Sequence, residues 1–179
     1  MTMWVLHPNL SPDEESNIGE RKYLPLPFGE LPDLSGVNSP AQARQVIRNL
    51  YPDAPPESHT RQFDRFWPVF NGLQTGDIIV VPLKNEIAVA EVAGHYGYED
   101  GHRIPVTWYP VRVPLRKLGK HRDTFAEGGI KMFEITDLET KNFVRGWLSK
   151  SYRKFGWVKW LIIIYPLMKL LQYFQVHYH

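Results

Sequence analysis

The chain has 179 residues, of which 43% are hydrophobic and 22% charged, with a net charge of +2. These proportions exclude a disordered polyelectrolyte, and the absence of cysteine excludes a disulfide scaffold, a thiolate zinc site and a cysteine nucleophile. The small net charge conceals an asymmetry. Residues 1–102 carry 7 Lys+Arg against 14 Asp+Glu, whereas residues 103–179 carry 14 against 5. A basic second half suits an anionic partner, either nucleic acid or a membrane surface. Met1-Thr2-Met3-Trp4 lacks the basic segment and apolar run of a signal peptide, so a cytoplasmic location is expected.

Taken in chain order, Trp4-Val5-Leu6 is a short β-type run stopped by Pro8. Prolines recur through residues 8–38 and forbid a central strand or a helix interior, which predicts an ordered loop with short extended pieces. Ser39-Pro40 is an N-cap followed by a proline at the first helical position. Ala43, Val46, Ile47 and Leu50 then share one face of a helix that ends near Tyr51. A second helix is predicted over about Glu57 to Gln74, where Phe63, Phe66, Trp67, Phe70 and Leu73 recur at helical spacing and Pro68 limits regularity. Gly76-Asp77 opens a buried strand, Ile78–Leu83; Lys84-Asn85 is a hairpin turn; Glu86–His95 is the partner strand. Gly94–His102 is a glycine-rich loop holding Tyr96 and Tyr98, and Arg103–Val113 returns as a strand. One helical turn over 114–118, a polar loop and a last strand over Ile130–Ile135 follow. Thr136 with Glu139 fits a capping box that opens a helix to about Ser149.

Residues 150–179 stand apart from the predicted domain, 1–149, as a basic linker and an apolar C-terminal helix. Trp157–Val176 is long enough to span a bilayer. Lys169, Gln172, Gln175 and Pro166 argue instead for an interfacial helix or for packing on protein, including a second copy of the chain.

Catalytic patterns are weak. Asp123 with Glu139-Thr140-Lys141 matches a D…ExK nuclease spacing, but Glu139 has a capping role and Asp123 lies in a polar loop. His95 and His102 have no carboxylate or thiolate partner at ligand spacing, so no metal is expected. Gly94–Gly101 leads into a strand rather than a helix and is no phosphate loop. No cofactor and no enzymatic activity are expected. The remaining pattern is Trp4, Tyr96, Tyr98 and Trp108 near glycines and cations, a combination suited to stacking on a nucleic-acid base.

The runs Gly76–Pro82, Ile87–Tyr98 and His102–Trp108, in that order, resemble the specificity module found ahead of Mrr-type restriction endonucleases and in some McrB-like proteins. That module reads G-D-hydrophobic-P, then I-A-x-G-E-V-T-G-x-Y-x-Y, then H-x-R-x-V-x-W, and is similar to EVE, YTH and PUA-like β-barrels. The likeness covers residues 3–148, with Ala90 where the family has Gly and Ala93 where it has Thr. It implies an α+β fold, a small PUA/EVE-like β-barrel flanked by helices. It also implies a reader that flips a modified base, in DNA in preference to RNA, into an aromatic pocket without catalysis. On this reading Trp4, Tyr96, Tyr98 and Trp108 surround the base, His102 is a further nucleic-acid-binding residue, and Arg103, Arg116 and Lys117, with Arg112, Lys120 and Arg122, contact phosphates. No nuclease domain follows, so a separate nuclease or effector subunit is an expected partner. The competing expectation is a membrane-associated accessory or scaffold protein anchored through 157–176.

Overall fold

The computed structural model describes residues 1–8, 10–126 and 132–149. Its first strand, β1 (Met3–Leu6), is interior to the sheet. It runs parallel to β3 (Ile78–Pro82) and antiparallel to β7 (Met132–Glu134). The Lys84-Asn85 turn joins β3 to β4 (Glu86–Val92), which pairs in turn with the long β6 (His102–Pro114). The first half of β6 is flanked by β2 (Tyr23–Pro25) and by the two-residue β5 (Gly97–Tyr98). The order is β2-β6-β4-β3-β1-β7, with β5 on β6. The fold is α+β, a curled mixed sheet of half-barrel form with several helices.

The curl has a local cause in the sequence. Ala88 of β4 faces Arg112, whereas Ala90 faces Trp108, so Tyr109-Pro110-Val111 bulge out opposite Val89. Pro110 has no N–H to give to a ladder, and a bulge is where a proline does least damage while bending the strand.

β1, Ile78–Val81 of β3 and Ile87–Ala90 of β4 read as continuous apolar runs because both of their faces are buried. Trp4, Leu6, Ile79, Val81, Ala88, Ala90 and Val92 point into one core, together with Phe63 and Phe66. Met3, Val5, Ile78, Val80, Ile87 and Val89 alternate to the other side and are equally buried. Burial of a large aliphatic side chain contributes about 1.5–3 kcal/mol, so these three strands dominate the stability of the unit.

Two helices follow the sequence closely. The Ser39 hydroxyl accepts from Gln42 N and caps α2 (Pro40–Leu50), and α3 (Pro56–Gly72) carries the aromatic stripe. Phe28 meets Phe66 edge-on, with ring centroids 6.0 Å apart, and Phe63 stacks on Trp67 at 5.9 Å. α3 closes against β1 at Gly72, where an added Cβ would lie 3.1 Å from the Trp4 indole.

Other segments depart from expectation. The proline-rich stretch contains α1 (Pro12–Ser16), capped by Ser11 with Glu14 in a reciprocal capping box, and a 3-10 turn at Ile18–Glu20. Ser11-Pro12 repeats the Ser-Pro signal of Ser39-Pro40; proline excludes a helix interior but not a helix start. The polar loop contains a 3-10 turn, Gly119–His121, and α4 (Arg122–Ala126). Helix α5 covers residues 138–149. Its cap is Asp137 rather than Thr136, because the Asp137 carboxylate accepts Thr140 N at 2.7 Å. Hydrogen bonding by the Thr140 side chain, and then by its amide, holds the Asp137 carboxyl below its ordinary pKa.

Met1–Lys141 forms one compact unit, and the residues from Asn142 onward belong to a second. Within the second, Phe143 and Trp147 meet edge-on with centroids 6.3 Å apart. The predicted apolar helix over 157–176 lies outside the described residues. Among the described residues no helix is long and apolar enough to cross a membrane.

Candidate functional site

The tyrosine loop and the start of β6 converge on His102, which is 4% exposed. Its Nε2 lies 2.8 Å from the Leu31 carbonyl oxygen, which can only accept, so Nε2 carries the proton. Nδ1 therefore accepts, and the Tyr96 hydroxyl donates to it at 2.8 Å. The same hydroxyl oxygen accepts Leu34 N at 3.2 Å. One chain of bonds thus joins the 31–34 loop to β5 and β6. Burial holds the His102 imidazole below its ordinary pKa, with the Leu31 carbonyl and Asp33 pulling weakly the other way. Burial likewise raises Tyr96. Tyr98, opposite His102 in the β5–β6 pairing, covers the imidazole edge-on at 5.0 Å and remains 42% exposed.

Next to this network lies an open cleft of about 400 Å³, whose lining includes Arg21, Lys22, Tyr23, Glu99, His102 and Arg103. Strand alternation explains its chemistry. His102 and Ile104 point inward from β6, so Arg103 points out. Pro25 and Gly97 are its two neighbours across the ladder, one a short ring and the other without a side chain. The Arg103 guanidinium therefore extends over the Tyr23 ring, 4.3 Å from its centroid, and pairs with Glu99. Tyr23 is 42% exposed. The β5–β6 connection turns through Asp100 (φ 51°) and Gly101 (φ 124°), left-handed conformations suited to Asp and Gly. This tight turn sets Glu99 and Asp100 on the rim.

The expected aromatic tetrad does not converge on one cavity. Trp4 is 6% exposed, in the core, and its Nε1 donates to the Asp77 carboxylate at 3.3 Å. A ring enclosed by the sheet and by Gly72 cannot receive a base, so Trp4 is corrected from pocket wall to core residue. Trp108 is half-buried against the core, and its Nε1 donates to the Arg21 carbonyl at 2.7 Å. It supports the Arg21-Lys22-Tyr23 segment from behind rather than lining the cleft. Tyr96 is likewise a support, its hydroxyl committed at both lone pair and proton. Arg116 and Lys117, expected to contact phosphates, lie in the exposed turn Leu115–Lys117, past the far end of β6 from Arg103 and outside the lining of this cleft. Of the predicted set, Tyr98, His102 and Arg103 are brought together with Tyr96.

Tyr23, with Arg21 and Lys22, was missed. The signal was a basic-aromatic triplet in a half of the chain that has 7 Lys+Arg against 14 acids, hidden by the surrounding prolines. The D…ExK pattern is dispersed: Glu139 pairs with Lys120, and Lys141 with Glu134 at 3.6 Å. Among the described residues no three His, Asp or Glu side chains are grouped to hold a metal ion. Comparison with protein-family models, with curated proteins and with solved structures finds no match to this chain.

Proposed function

We propose that this chain is a non-catalytic nucleic-acid reader that takes an unstacked base, in DNA in preference to RNA and carrying a modification, at the cleft beside His102. The observation that carries the reading is the open cleft of about 400 Å³ in which Tyr23 and the Arg103 guanidinium stack on each other among Arg21, Lys22 and His102. Exposed tyrosine faces suit base stacking, worth about 1–3 kcal/mol per base, and the cations suit the flanking phosphates. Glu99 and Asp100 on the rim add acceptors for the amino or imino protons of a base edge. The resemblance of Gly76–Pro82, Ile87–Tyr98 and His102–Trp108 to PUA/EVE-like modules supports the same reading, and it would make a separate nuclease or effector subunit the partner that acts on the bound DNA.

The test is a binding screen against duplexes and single strands with different base modifications, at two salt concentrations. A modified oligonucleotide should bind best, with affinity falling as salt rises. Tyr23→Ala and Tyr98→Ala should each weaken binding about 5- to 100-fold, the equivalent of one lost stack. Equal binding of all strands by wild type and by both variants would overturn the assignment.

A further inference from the structure

A second cleft, of about 330 Å³, lies between α2 and α3 and is lined by Arg44, Arg48, Pro56, His59 and Thr60. It shares no residue with the cleft at His102. Arg44 and Arg48 are one helical turn apart, which places their Cβ atoms about 5–6 Å from each other on one face of α2. Like charges at this spacing repel. Neither guanidinium has a carboxylate within 4.0 Å among the described residues, although this half of the chain holds 14 acids and 7 Lys+Arg. Arg44 is held in place: its guanidinium carbon is 3.8 Å from the centroid of the Phe63 ring. Stacking of this kind fixes the fork without neutralising it and leaves the N–H edge for a ligand.

The α3 wall offers acceptors instead. His59 Nε2 lies 2.7 Å from the Tyr51 carbonyl oxygen, so that nitrogen carries the proton and Nδ1 of the neutral ring keeps a lone pair. The Thr60 hydroxyl donates to the Pro56 carbonyl at 3.1 Å, which leaves its own lone pairs. Of the first α3 positions, Ser58 N and His59 N donate to the Pro55 carbonyl and Pro56 has no N–H.

Paired guanidinia on one wall and lone pairs on the other define a ligand with an anionic oxygen cluster at one end and hydroxyl donors at the other. We infer that this cleft binds a phosphate ester bearing hydroxyl groups, of nucleoside monophosphate size. Arg44 and Arg48 clasp the phosphate, and His59 and Thr60 accept from the hydroxyls. The volume is at the small end of ligand pockets, which fits one nucleotide and no larger group. The nucleotide is either free or a unit of a nucleic-acid chain.

Isothermal titration of the full chain with inorganic phosphate, adenosine monophosphate and a single-stranded oligonucleotide tests this and separates the sources. Adenosine monophosphate should saturate one site and bind more tightly than inorganic phosphate. Arg44→Gln and Arg48→Gln should each weaken it about 10-fold or more, the loss expected for a charge-assisted hydrogen bond. Arg61→Gln, an exposed α3 residue outside the cleft, should leave it unchanged. Arg44→Lys and Arg48→Lys keep the charge, should lose less than the glutamine variants, and serve if a glutamine variant fails to fold. Binding seen only with the oligonucleotide, and lost in the glutamine variants, assigns the phosphate to a nucleic-acid chain. Absence of saturable binding by all three probes, or equal binding by wild type and both glutamine variants, overturns the site. Equal affinity for phosphate and adenosine monophosphate overturns the hydroxyl half of the assignment.

Discussion

Two places in the sheet combine an aromatic ring, a buried ionisable group and the start of a strand, and they end differently. At the start of β1 and β3, the Asp77 carboxylate accepts Thr2 N at 2.6 Å, Gln74 N at 3.1 Å and the Trp4 indole N–H at 3.3 Å. Gly76, at φ +90°, provides the turn that presents it. Donors and acceptors close on one another, and the indole is covered by α3. At the start of β6, His102 is as buried as Asp77 and bonded at both ring nitrogens, yet Tyr23 and Arg103 line an open cleft beside it and Tyr98 stays exposed against its ring. The difference teaches that a motif of aromatic and polar residues marks a site only where the fold leaves part of it uncommitted. Gly76-Asp77, the opening of the recognised pattern, is a structural clamp; Tyr98 and Arg103, near its end, are what solvent reaches.

The comparison is broken most severely by Asp77→Ala. It strands the buried Trp4 indole N–H and two part-buried amides at once, and with about 1–3 kcal/mol for an unsatisfied buried donor and less for the amides the loss should be about 2–4 kcal/mol in urea unfolding. A change below 1 kcal/mol, on the order of an ordinary surface substitution, would show that the clamp is not what closes that end. Gly72→Ala should follow, at about 1–3 kcal/mol, because its Cβ presses on the Trp4 indole in a packed core.

His102→Gln should cost less, about 1–2 kcal/mol, since an amide can replace one of the two bonds of the imidazole. It carries a sharper signature in pH. Burial depresses His102 and also His7, whose Nε2 is buried without a partner. The unfolded chain therefore takes up protons near pH 6.5 before the folded chain does. Stability is fully present above that value and declines as pH falls through it toward the folded pKa values. His102→Gln should flatten the decline between pH 7.5 and pH 5; an undiminished slope would remove His102 from that account.

The smallest effects on stability should come from the side chains outside His102, at the open cleft and beside it. Tyr98→Ala and Arg103→Gln should each move it within about 0.5 kcal/mol, as surface substitutions do, while weakening nucleic-acid binding. Destabilisation of either by 2 kcal/mol would erase the distinction between the two strand starts.

Legibility followed the range of the interactions. The Ser39-Pro40 cap, the α3 stripe, the Lys84-Asn85 hairpin and the apolar runs of β1, β3 and β4 were readable because caps, periodicity and turns act over a few residues. The short α1 was readable in principle from Ser11-Pro12-Asp13-Glu14, where the density of following prolines outweighed a local cap. The two rings of the tyrosine loop diverge: Tyr96 turns inward to His102 and Tyr98 stays outside.

The sequence by itself determined β1, β3, β4, β6 and β7, the two central helices and the residue types available for recognition. Which aromatic is wall and which is core was decided only by pairing across long separations. β2 lies against β6 with Tyr23 opposite Pro105, and Trp4 meets a carboxylate more than seventy residues away. Burial of a ring depends on what the rest of the chain places over it, and no pattern within a window of a few turns contains that information.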